Sequence, residues 1–355
     1  MCTGDCKLHP SSDALKAENI NTVFSRSMSQ MVKGIAILMM IAHHCFAFPD
    51  FWLNDFRVGT VTALVSNQFK ICVAIFAFIT GYGFYAGRSY TYKQTIRKTI
   101  RFLLQYWLQL FFIFLPVASI SYDFSLSKIV HNLIALYDNI VLFAWYVFFH
   151  CYVLLTFPFA KKFLNGSVAQ GLAVVLAGGY CVTVFFYFLP LDGPLFSMLF
   201  DCSVYYPVVG IGYLFAKYNV FDRLGKKLST MVAAVVIPVI ILVRTQLSVI
   251  KGFSFDVFYA PLCILSLCRI LAKCPIVHPI LQFLGKHSFH MWLFHSIFFS
   301  AYTRELIQPL VSWTDIPFMR FLLVTVMSTA AAVLIDFVWK SGTALFERVR
   351  NSLSK

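Results

Sequence analysis

Long apolar runs alternate along the chain with short polar joints, many of them basic. The runs fall near 30–48, 65–87, 102–120, 140–160, 168–190, 198–216, 229–247, 255–272, 280–301 and 317–339. Each is close to the roughly 20 residues that carry a helix across a bilayer. Lipid cannot satisfy exposed backbone groups, so runs of this length predict an all-α, polytopic membrane protein with about ten transmembrane helices. The edges are least sharp from the fifth run to the eighth, where "FLPLDGP", "YYP" and "IP" mark kinks or shifted ends. Residues 1–28 read as a short polar tail, 29–340 as the membrane domain and 341–355 as a second tail.

Composition agrees with this pattern. Apolar residues make up 59% of the chain and charged residues 12%, and the mean hydropathy is +0.76, well outside the range of soluble domains. The polar opening residues do not have the layout of a cleaved signal peptide. If both tails and the joints after the second, fourth, sixth and eighth runs share one side, that side holds 22 Lys/Arg and the rest of the chain 7. The positive-inside rule then puts both termini in the cytoplasm of a multi-pass plasma (inner) membrane protein. Basic joints lying on anionic lipid account for the net charge of +14 without nucleic acid as a partner. The ten cysteines lack paired ligand spacing and read as small hydrophobes, and no constellation predicts a metal.

The first run, "MSQMVKGIAILMMIAHHCFAF", places Lys33 at its mouth and His43 and His44 deep inside. His44 lies eleven positions after Lys33, which on a helix is about 16 Å deeper and within about 20° of the same face. His43 is turned away from Lys33 by about 80°. His44 therefore shares a stripe with Lys33, and His43 does not. Ionisable groups within a membrane are costly and tend to be functional. The competing use is helix-to-helix hydrogen bonding. Asp201, Arg244, Arg320 and Asp336 sit near or within helix ends, where pairing or snorkelling is expected.

Lys33, ten residues, then His44 resembles the basic-residue-and-histidine signature in the first helix of the acyltransferase-3 family, which usually has arginine in the basic position. Lysine keeps the charge but lacks the bidentate fork. Four further stretches resemble the family in order. "CVAIFAFITGYGFYAGR" puts Thr80 and Gly81 in its Ser-Gly positions, and "YKQTIRKTIRFLLQYW" supplies Arg97 and Arg101, with Gln105 where proline is common. "AWYVFFHCYVLL" around Trp145 resembles the Trp-aromatic opening of the fourth helix, and "LQFLGKHSFHMWLFHSIF" resembles the late helix ending in Leu-Phe-His, which brings in His295.

The resemblance implies transfer of an acyl group, usually acetyl, from cytosolic acyl-coenzyme A to a hydroxyl of a cell-surface glycan, polysaccharide or glycolipid, with no permanently bound cofactor. A sugar hydroxyl needs a positioned general base, and imidazole suits neutral pH; His44 is the expected base. By helix rise, His295 reaches a similar depth and could line the same cavity. The donor is a polyanion whose slender arm alone can enter the hydrocarbon region, so its cytoplasmic mouth should be basic. Lys33, Arg97 and Arg101 are the expected contacts, with Arg88, Lys93 and Lys98 nearby. Thr80, Trp145 and His150 are candidates for substrate contact, although a Thr-Gly pair also serves helix packing. The rival reading is a proton-coupled transporter or flippase with the histidines as a relay; it calls for inverted repeats and broken helices, which the sequence does not display.

Overall fold

The computed structural model describes residues 23–54, 56–87, 91–136, 140–189, 193–247 and 255–353. Most of the first tail, and Arg88 of the basic joint, lie outside the described residues. The described residues form helices and no strands. The larger ones are α1 (Arg26–Phe46), α2 (Thr60–Gln68), α3 (Ile71–Ala86), α4 (Tyr92–Ala118), α5 (Leu126–Leu133), α6 (Trp145–Ala160), α7 (Val168–Phe188) and α8 (Pro194–Lys217). Then come α9 (Val220–Gly225), α10 (Thr230–Leu247), α11 (Asp256–Leu271), α12 (His278–His295), α13 (Arg304–Ile307) and α14 (Pro317–Leu353).

Each of the ten apolar runs holds a helix, but helix and membrane span are not the same thing here. Among the described residues, six helices are long and apolar enough to cross a bilayer, and a seventh span results if α11 and the helix after it, bent by 105°, are taken as one. α1 is not among them, because Lys33, His43 and His44 interrupt its apolar run. α10 and α11 are short, and α14 continues as helix through most of the segment expected to be a tail. α4 and α7 each contain a π-helical turn, Leu110–Phe114 and Val174–Gly178.

α1 is the hub. Ser25 caps its start by accepting from the Met28 amide, and Val32, Ala36, Ile37, Ile41 and Cys45 are buried around its circumference. It packs in parallel on α12, and glycines let the two backbones touch. A Cβ at Gly34 would collide with the Leu281 carbonyl oxygen, and one at Gly285 with that of Gln30. The same device joins α3 to α8, where Gly81 meets the Val209 carbonyl and Gly212 that of Phe78. Such small-residue contacts are how membrane helices pack closely without a hydrophobic driving force.

Parallel packing fixes what α1 and α12 share deeper in the bundle. Ten residues beyond Gly34 and ten beyond Gly285 stand His44 and His295, and their rings meet.

Candidate active site

The Nδ1 of His44 lies 2.8 Å from the Nε2 of His295, and both rings are buried. One nitrogen must donate and the other accept, so the pair shares a proton whose position depends on the tautomer. Phe143 lies flat on His44, with ring centroids 3.6 Å apart and planes 7° from parallel. Phe143 has φ of 69°, a left-handed conformation that costs a bulky residue roughly 1–2 kcal/mol. Buried polar groups hold that strained turn: Asn132 accepts from the Ile140 amide, and the Ser300 hydroxyl donates to the Ile140 carbonyl. Strain of this kind persists where the surroundings over-determine it, and it concentrates at functional sites.

Phe48 and Phe51 complete an aromatic cap over this end of α1, packing on the histidines and on Phe143. Buried Gln308 secures the cap, accepting from the Leu53 amide and donating to the carbonyls of Phe51 and Phe298. His43 is turned elsewhere, to the Ser66 carbonyl 2.9 Å away on α2, as expected of a ring that does not share the Lys33 stripe.

Toward the other end of the bundle lies a cavity of about 430 Å³ walled by α1, α3, α4, α6 and α12. Lys33, Lys98 and Arg101 stand among its lining residues, and no carboxylate does. Met40, Phe76, Tyr146 and Trp292 form its deep end. Along α1 His44 is one turn past Met40, and along α12 His295 is three residues past Trp292. The histidine pair is thus outside the cavity lining, beyond its deep-end residues on α1 and α12.

Of the residues singled out in the sequence, Lys33, Arg101, Thr80 and His150 line the cavity. Thr80 also donates to the Phe76 carbonyl at 2.9 Å, so it serves helix and cavity together. Arg97 is exposed and outside the lining, and Lys98 stands inside it. The inward stripe of α4 runs Thr95, Lys98, Phe102, Gln105, at intervals of three and four residues, and Arg97 is turned about 100° from Lys98. Trp145 is also outside, packed against Tyr205 at 5.7 Å, while its neighbour Tyr146 faces in. The signal for Tyr146 was its i, i+4, i+8 spacing with His150 and Leu154, which all three share with the cavity wall.

Three of the four ionisable residues named near helix ends, Arg244, Arg320 and Asp336, pair as their position suggested. Arg244 forms a two-pronged bond to Asp256, joining α10 to α11. Arg320 is fully buried, its guanidinium 4.9 Å from the Trp52 ring and 4.4 Å from that of Phe56, and it bonds to Asp315. Asp336 of α14 reaches both His287 and, at 3.3 Å, His290 of α12. His290 in turn meets the Gln109 amide nitrogen at 3.0 Å. No group of three or more potential metal ligands is found among the described residues.

Compared with known proteins, residues 30–337 match the family model for an acyltransferase domain. No curated protein and no solved structure matches the chain. The match covers most of the sequence, and the chain belongs to the acyltransferase-3 family as a multi-pass membrane acyltransferase.

Proposed function

Taking a membrane acyltransferase of this family as the premise, we propose that the chain moves an acyl group, acetyl in the simplest case, from cytosolic acyl-coenzyme A to a hydroxyl of a glycan or glycolipid at the cell surface. The observation that carries this reading is the His44–His295 pair, placed one turn beyond a cavity that carries three cations and no carboxylate. Both termini are cytoplasmic in this reading, and the protein resides in the plasma (inner) membrane. Lys33, Lys98 and Arg101 then face the cytosol and hold the donor's phosphates, while its uncharged arm extends toward Met40.

The tautomer sets the chemistry. With the Nδ1–H of His44 donating to the Nε2 of His295, the Nε2 of His44 keeps its lone pair and serves as general base. It takes the proton of the acceptor hydroxyl as the alkoxide oxygen attacks the thioester carbonyl. The tetrahedral intermediate collapses with cleavage of the C–S bond, and the departing thiolate takes the proton back from the imidazolium. The products are an ester and free coenzyme A. His295 is a positioning residue, and Phe143 fixes the plane of the His44 ring. The acceptor approaches from the Phe48–Phe51 side, opposite the donor.

The test is transfer of labelled acetyl from acetyl-coenzyme A by purified protein in detergent, with candidate surface glycans as acceptors. Label appearing as ester on the acceptor supports the reading. Acceptor movement across vesicles without transfer of label counts against it and for a carrier.

A further inference from the structure

A second cavity, of about 420 Å³, lies behind α6. Tyr146, His150 and Leu154 face the first cavity, and Tyr152, Thr156 and Ala160 face the second. The two stripes are two residues out of step, about 200° around the helix, so α6 is a partition with space on both sides. The far wall is α7, which is 17% buried over its apolar window, against 56% for α8. α7 therefore meets the hydrocarbon of the bilayer along most of its length.

The cavity lies against the face of α6 opposite Tyr146 and His150. Its lining is largely apolar. The Thr156 and Tyr206 hydroxyls, 3.0 Å apart, bond to each other, and Thr156 also reaches the Tyr152 carbonyl. Such a surface suits an alkyl chain, and at this depth alkyl chains are the solvent. One end of the cavity is marked by charge. Ala160 and Leu164 line it, and Lys161 and Lys162 stand between them, half-buried and exposed. Lys217 is anchored at the same end, donating to the carbonyls of Leu164 at 2.8 Å and Gly166 at 3.1 Å. Basic groups at the end of a pocket between membrane helices are the usual holders of anionic headgroups.

We propose that this cavity binds one hydrocarbon chain of an anionic membrane lipid, whose phosphate headgroup is held by Lys161 and Lys162. The bound lipid buttresses the face of α6 opposite Tyr146 and His150. The site is independent of the acyl-transfer reading.

The experiment is native mass spectrometry of the full chain, released from detergent after incubation with phosphatidylglycerol or with phosphatidylcholine of matched chains. Two lysines beside the headgroup predict retention of one phosphatidylglycerol with roughly tenfold or greater preference. Gly178 lines the cavity, and a Cβ there meets nothing within 4 Å, so Gly178→Leu fills the space without a backbone collision and should abolish retention of both lipids. Lys161→Gln with Lys162→Gln should keep chain binding and lose the preference. Equal retention of the two lipids by the parent chain, or undiminished retention by Gly178→Leu, overturns the proposal. Should Gly178→Leu not elute as a single species, the lysine variant decides alone: lost preference supports the site and unchanged preference overturns it.

Discussion

Helix α12 carries histidines on two faces, and the two sets are partnered in opposite ways. His295 meets another imidazole, that of His44, with no carboxylate in the pair. His287 and His290, up to two turns earlier, meet the carboxylate of Asp336 on α14. An imidazole held by a carboxylate has its proton and orientation set by charge, and in a buried setting that makes a clamp between helices. An imidazole held by an imidazole has no fixed charge to set its tautomer, so one outer nitrogen keeps a lone pair free to take a proton, as a general base requires. Residue type alone does not separate the two sets; the partner does.

Substitutions can break this contrast. The largest expected effect is at the histidine pair: His44→Ala should lower kcat per folded molecule by roughly 10²- to 10⁴-fold, beyond the about 1–3 kcal/mol of stability lost when buried His295 is left without its partner, as read by labelled-acetyl transfer and a melting scan. Near-parental turnover would remove His44 as the base. At the carboxylate cluster the split should invert. Asp336→Asn should cost about 1.5–3 kcal/mol of stability, the worth of hydrogen bonds to a charged group, with turnover per folded molecule retained. If turnover collapses while the melting midpoint holds, the cluster belongs to the chemistry.

Smaller effects sharpen the comparison from the cavity side. Lys33→Ala should raise KM for acetyl-coenzyme A by about tenfold, on the scale of one lost charge-assisted contact, and Lys33→Arg should be tolerated; unchanged KM in Lys33→Ala would detach this lysine from the donor. Lys98→Ala should raise KM several-fold and Arg97→Ala hardly at all, because only the former lines the cavity; the reverse order would place the donor elsewhere. The smallest effect is expected for His43→Ala, whose ring bonds to the Ser66 carbonyl on α2.

The helix positions were legible because backbone groups in lipid must bond within their own segment, which leaves a strong periodic trace in the sequence. The number of crossings was less so. α1 reads as an apolar run with a few ionisable residues, and the burial of its stretch from Met40 to Cys45 depends on neighbours that come much later in the chain. Within the site, the Lys33–His44 stripe followed from helix geometry, and the resemblance brought in His295. Arg97 against Lys98, and Trp145 against Tyr146, are choices between adjacent residues, which a turn of about 100° decides and sequence alone does not. The same holds for Phe143, whose left-handed backbone has no glycine or asparagine to announce it.

By itself, the sequence determined the class of molecule, the helices, the family and one ionisable stripe, since hydropathy and helical period act locally. Only the tertiary structure decided that His44 finds His295, that Asp336 takes His287 and His290, and that the histidine pair lies outside the lining of the cavity that holds Lys33, Lys98 and Arg101. Those outcomes depend on which helix faces touch, and here the touching faces were selected by glycines at Gly34 and Gly285, 251 residues apart in the chain.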